Sequence, residues 1–230
     1  MPCSRVHLLR LRVLSSALAA VVVAATAVVA PAAAVEHVPG SSGICQNWSI
    51  GDAWLLQEAQ TFTETLTGQV GTVRLVLQDA SPLGQTPLHE VVVELRDGGP
   101  TGTVLGVSQP VELGGGGANA VSVSPYTSVN LTYFWFEFAF TTPVPVVAST
   151  MYTIVVRQVT PSSSWSATVC AMPAGPNNPA YADGVHYYDE NVAPGWTANS
   201  TTDMPFSIGY VVPTPPSAPA PAPVTPAYTG

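Results

Sequence analysis

An all-β fold, one antiparallel β-sandwich of jelly-roll type, is expected from three observations on this 230-residue chain. Apolar residues recur at every second position, Gly/Pro-rich turns separate those runs, and apolar stripes of helical period are nearly absent.

The elements follow in chain order. The first segment carries Arg5, Arg10 and Arg12 ahead of an apolar run from Val13 to Ala30, then small residues ending "PAAA". Basic, apolar, then A-x-A is the order of a secretory leader, with cleavage expected after Ala34. A retained membrane anchor is the competing reading, because the run approaches the roughly 18 to 20 residues that span a bilayer. Residues 35–212 form the expected sandwich domain. Within it, "GDAWLLQEAQ" is the one hint of helix.

The strands are read from alternation. Val73, Leu75 and Leu77 share a face, as do Val91, Val93 and Leu95, with Glu94 and Arg96 on the solvated side. In "YFWFEFAF" Phe134, Phe136, Phe138 and Phe140 line one side, with Tyr133, Trp135 and Glu137 on the other. Tyr152, Ile154 and Val156 form the next face, then Met204, Phe206, Ile208 and Tyr210. Strand-breaking turns are expected at "RDGGPTG", "GGGGAN", "TTPVP", "TPSSS" and "APGW". Residues 213–230, almost wholly Pro, Ala, Thr and Ser, read as a disordered polyproline-like tail.

Charge and cysteine content narrow the function. All fourteen acids lie after Ala34, with only Arg74, Arg96 and Arg157 as cations, so three minus fourteen gives −11 for the expected mature chain. Such a surface repels phosphate backbones and excludes nucleic acid as a partner. Once the leader is removed, no apolar run long enough for a stable membrane span is expected. Cys45 and Cys170 then remain as an even pair in an oxidising compartment, where one disulfide is expected.

The order of "AQTFTETLTGQVGTVRLVL", "GGPTGTVLG", "FWFEFAFTTPVPVVASTMYTIVV", "YADGVHYY" and "PGWTANSTTDMPFSIGY" resembles the choice-of-anchor type β-sandwich domains of secreted bacterial proteins, from about Ala59 to Tyr210. The resemblance implies an exported, surface-associated domain, carbohydrate-binding-like in shape, and brings no catalytic residues. The two cysteines, the glycine run and "VASTMY" depart from the usual pattern.

No nucleophile elbow, P-loop, dinucleotide fingerprint or HExxH motif is present. The richest stretch is "YADGVHYYDENVAPGW", read as a hairpin. Tyr181, Tyr187, Tyr188 and Trp196 are the candidate ligand-binding rings. Because adjacent strand residues face opposite ways, one of Tyr187 and Tyr188 points outward, where with Trp196 it offers a surface for stacking on a sugar. The alternative is that the rings close the end of the sandwich. Asp183, Asp189, Glu190 and Asp203 are candidate ligands for a structural calcium ion; no other cofactor is indicated.

The functional expectation is a secreted or cell-wall-associated, non-catalytic surface or matrix module with weak affinity for extracellular glycan or a surface protein. A carbohydrate-active hydrolase or lyase and a passive spacer or coat component are the alternatives.

Overall fold

The computed structural model describes residues 31–37, 44–50, 55–78, 89–114, 117–128, 131–160, 167–173, 181–190 and 193–211. The apolar run of the expected leader, the Pro-rich tail and most of the "TPSSS" turn lie outside the described residues.

Every regular element among the described residues is a strand. They are β1 (Pro31–His37), β2 (Gln46–Ile50), β3 (Leu55–Thr63), β4 (Gly68–Gln78), β5 (His89–Asp97), β6 (Val104–Val107), β7 (Val111–Leu113), β8 (Ser122–Ser128), β9 (Leu131–Val146), β10 (Met151–Gln158), β11 (Ala167–Pro173), β12 (His186–Glu190), β13 (Ala193–Asn199), β14 (Thr202–Asp203) and β15 (Phe206–Val211). They form two antiparallel sheets packed face to face, so the expected β-sandwich is the fold.

In the eight-stranded sheet β4 is central. It pairs with β9 along one edge and with β15 and then β11 along the other. β8 extends the sheet beyond β9, while β1, β2 and β14 flank β15 and β11. The seven-stranded sheet runs β13-β12-β3-β10-β5-β6, with β7 also on β5. The chain passes repeatedly from one sheet to the other.

The inward faces are those expected from alternation. Val73, Leu75 and Leu77 meet Val91, Val93 and Leu95, Phe136, Phe138 and Phe140, Tyr152, Ile154 and Val156, and Met204, Phe206, Ile208 and Tyr210 in one core. Each such large apolar side chain contributes about 1.5–3 kcal/mol when withdrawn from water.

A second, smaller cluster covers the outer face of the eight-stranded sheet. Cys45 and Cys170 are joined by a disulfide there, with Val76, Tyr126, Tyr133 and Met172 buried around it and Trp135 against them. Tyr133 is therefore buried on the outer face. Removal from water pushes its hydroxyl up to about 12.

Four local expectations are corrected. Residues 55–60 of the expected helix belong to β3, because β3 is hydrogen-bonded on both edges, to β10 and β12. "TTPVP" does not end a strand: β9 continues to Val146 and meets β4 again after a register shift, which takes up the extra residues as a bulge. "APGW" lies inside β13, its irregularity taken up by Gly195 at φ 137°. Glu94 is not on a solvated surface but 6% exposed, held by two arginines.

β1 runs across the expected cleavage point. Pro31 and Ala32 pair with Val211 and Tyr210, the register shifts between Ala32 and Val35, and Val35–His37 pair with Ile208–Phe206.

Candidate functional site

Register places the site. β12 pairs with β3 so that Tyr187 stands opposite Ala59 and Tyr188 opposite Glu58. On β3, Glu58, Gln60 and Phe62 alternate into the sandwich, Phe62 within the core. Tyr188 consequently points inward, its ring 5.0 Å from that of Trp48 on β2. Tyr187 points outward. Across the hairpin, Tyr187 faces Ala198 and Asp189 faces Trp196, so Trp196 shares the outward side with Tyr187 as a diagonal neighbour.

The structure thus divides the four candidate rings. Tyr187 and Trp196 are brought together on the outer face of the seven-stranded sheet. Tyr181 meets Phe206 edge-on at 6.0 Å. Burial first, and then the charges of Asp183 and Glu64, push its hydroxyl up to about 12.

Polar groups stand beside the outward rings. Asp189 accepts from Gln57 Nε2 at 2.9 Å and from the Gly195 backbone N–H at 3.0 Å, which ties the hairpin tip to β3. Further across the face, Glu94 accepts from Arg157 Nε at 2.8 Å and from Arg96 Nη2 at 2.6 Å. Burial alone would raise the carboxyl, but the two guanidiniums prevail and hold Glu94 below the usual carboxylate range.

The four carboxylates considered for calcium are not gathered at one point. Asp203 is buried between the sheets, accepting from Gln60 Nε2 and from the Tyr181 N–H. Asp189 is bound to Gln57, three residues from Gln60 on the same strand, and an odd spacing places the two side chains on opposite faces. Asp183 is exposed in the turn ahead of β12 and Glu190 is exposed at the far end of that strand. Among the described residues no three His, Cys, Asp or Glu side chains converge as a metal-binding group.

The inner face of this region carries a polar network that alternation did not reveal. His186 Nδ1 lies 2.7 Å from Thr202 Oγ1 and His186 Nε2 lies 3.3 Å from Glu58 Oε2, with Trp48 edge-on to the imidazole at 5.8 Å. Hydroxyl, imidazole and carboxylate in that order could relay a proton, but His186 and Glu58 are fully enclosed and Thr202 is 2% exposed. The arrangement pairs the imidazole with Thr202 and with Glu58 Oε2 away from solvent, while Glu58 Oε1 is buried without a partner among the described residues. Desolvation raises the Glu58 carboxyl above its ordinary range against the opposing pull of His186, and burial likewise raises Asp203. The sequence signal for this network was present but unread: Glu58, Gln60 and Glu64 recur at period two with Phe62, a strand face whose polar members need partners.

No helix among the described residues is long and apolar enough to cross a membrane. No protein-family model matches the chain, and no curated protein matches it either.

Proposed function

We propose that this chain is an exported, non-catalytic surface or matrix module that binds polysaccharide weakly through the outer face of its seven-stranded sheet. The observation that carries the reading is the placement of Trp196 and Tyr187 as diagonal neighbours on that face, beside the carboxylate of Asp189 and the amide of Gln57. Planar rings supply apolar contact with a pyranose at small entropic cost, and the flanking acceptor and donor meet its hydroxyls.

Export rests on the leader-like order of the first residues and fits the Cys45–Cys170 disulfide, a bond that persists in oxidising compartments. The choice-of-anchor resemblance belongs to the same reading. Cleavage after Ala34 leaves Val35–His37 paired with β15. Protein recovered from the culture medium should begin at Val35 by intact mass, and a leader-bearing cytoplasmic product would defeat the export half of the proposal.

Binding is tested by retention of the secreted protein on insoluble polysaccharides and cell-wall preparations. Trp196→Ala with Tyr187→Ala should abolish retention. Undiminished retention of that double variant would remove this face from the function.

A further inference from the structure

Residues paired across successive antiparallel strands stand in a line perpendicular to those strands and share one face. On the outer face of the seven-stranded sheet one such line is Trp196, Asp189, Gln57 and Arg157, running across β13, β12, β3 and β10. Three inter-strand steps of about 4.8 Å make it roughly 14 Å long. That is longer than one sugar ring.

The chemistry along the line changes in a fixed order: an aromatic face, a carboxylate acceptor, an amide, and a guanidinium. Gln57 donates to Asp189 through Nε2, which leaves its Oε1 as an acceptor. Arg157 gives Nε to Glu94 and reaches Gln158 O at 3.4 Å through Nη1, and its side chain keeps 36% exposure, leaving Nη2 as a donor towards solvent. In the parallel line beside it, Ala198, Tyr187, Ala59 and Val155, the first is exposed, the ring is half-buried and the last two are fully buried, so the accessible part of the face lies along the first line. Tyr187, half-buried in the second line, adds to the stacking end.

Electrostatics select the class of polymer. The line holds one carboxylate and one guanidinium, and Glu94, exposed Glu90 and Arg96 stand on the same face of β5, so the face carries three carboxylates against two guanidiniums. The expected mature chain carries −11 overall, from three arginines against fourteen acids. A polyanion is repelled by this field, whereas a neutral polyol is not.

Building on the glycan-binding reading above, we propose that the face takes a neutral polysaccharide whose chain runs across the strands, stacked on Trp196 at one end and hydrogen-bonded to Arg157 at the other. Gln57 and Asp189 read hydroxyl groups between these ends, and Arg157 sets the length of chain recognised.

The test uses the secreted protein with two panels: microcrystalline cellulose, chitin and amylose as neutral polymers, and polygalacturonate and hyaluronate as anionic ones. Retention is expected on at least one neutral polymer. Calorimetry with oligosaccharides of the retained polymer should then show affinity rising with length until the line is spanned, and levelling off after that. Gln57→Leu and Arg157→Met should each weaken the longest oligosaccharide about 5- to 10-fold, the loss of one hydrogen bond, and leave the shortest unchanged. Trp196→Ala should weaken every length.

Retention on the anionic polymers alone overturns the neutral class. Affinity independent of length, or losses from Trp196→Ala with none from Gln57→Leu or Arg157→Met in folded protein, overturns the crossing orientation while the glycan-binding reading stands. Failure of every polymer to retain the protein removes both.

Discussion

Tyr187 and Tyr188 are neighbours in the chain and lie on opposite faces of one sheet: Tyr188 packs 5.0 Å from Trp48 inside the sandwich, while Tyr187 stands opposite Ala59 and Ala198 outside. Removing them should therefore do different things. Tyr188→Ala empties a place between the sheets and is expected to lower unfolding free energy by about 3 kcal/mol. Tyr187→Ala should change it by less than about 1 kcal/mol and act on polysaccharide retention instead. Denaturant unfolding of the two variants measures both, and equal stability losses would show that the facing is wrong.

The same pair shows what was legible in the sequence. Alternation was enough to find the inward faces of the main strands and to require that one tyrosine of the pair face outward, because pleating alone decides sidedness. Which tyrosine it was depends on the register of β12 against β3, a long-range pairing that carries no local signal. The outer cluster around Cys45 and Cys170 was hidden for a related reason: Tyr133 and Val76 sit on faces that alternation assigns to solvent, and the disulfide with its neighbours covers them. β3 was missed because its inward side is mostly carboxyl and amide. β12, β14 and the residues around them supply partners to Gln60 and to one oxygen of Glu58 from more than 120 residues away, and the other oxygen of Glu58 is left unpaired.

Glu94 holds the outer face together through Arg96 and Arg157. Its carboxyl is depressed, so its contribution to stability is fully present above the ordinary carboxylate range and is lost as pH falls through its folded value. Glu94→Gln should cost about 2 kcal/mol at neutral pH, less than a fully enclosed ion pair because Arg157 remains partly in water. The deficit should shrink as pH falls below about 4. A deficit that stays constant down to low pH would show that packing, not charge, is responsible.

Glu58 titrates in the opposite sense. A carboxyl raised by burial binds its proton more tightly in the folded state, so folding is favoured at low pH and weakened as pH rises from the ordinary carboxylate range through the folded value. Asp203, also raised, acts in the same direction. Glu58→Gln keeps a hydrogen-bonding group opposite His186 without a charge to bury. Relative to the parent, the variant should gain melting temperature at pH 8 compared with pH 4. A relative loss at pH 8 would mean that the charged Glu58–His186 pair stabilises the sandwich.

Calcium makes a separate prediction. Asp189 lies on the outer face of the seven-stranded sheet, whereas Asp203, on β14 of the eight-stranded sheet, is buried between the two sheets. Each already accepts hydrogen bonds, and Asp183 lies in the turn ahead of β12 with Glu190 at the far end of that strand. Calcium needs six to eight oxygen ligands around one point. The melting temperature in excess chelator should equal that in millimolar calcium, and a rise with calcium would require a site built from other groups.

The disulfide gives the sharpest test of how the site is supported. It closes a 125-residue separation, for which loop entropy predicts a loss on the order of 4–5 kcal/mol when the bond is removed, with 2–4 the usual yield. It also anchors the start of β2, the strand that pairs with β11 and brings Trp48 against His186 and Tyr188. Cys45→Ala with Cys170→Ala should therefore unfold at lower denaturant. The β2 amides should exchange faster with solvent, while those of β10, paired on both edges by β3 and β5, keep their protection until global unfolding. Uniform acceleration across β2 and β10 would mean that the bond acts only through the denatured chain. Unchanged exchange at β2 would mean that its pairing with β11 holds Trp48 in place without the bond.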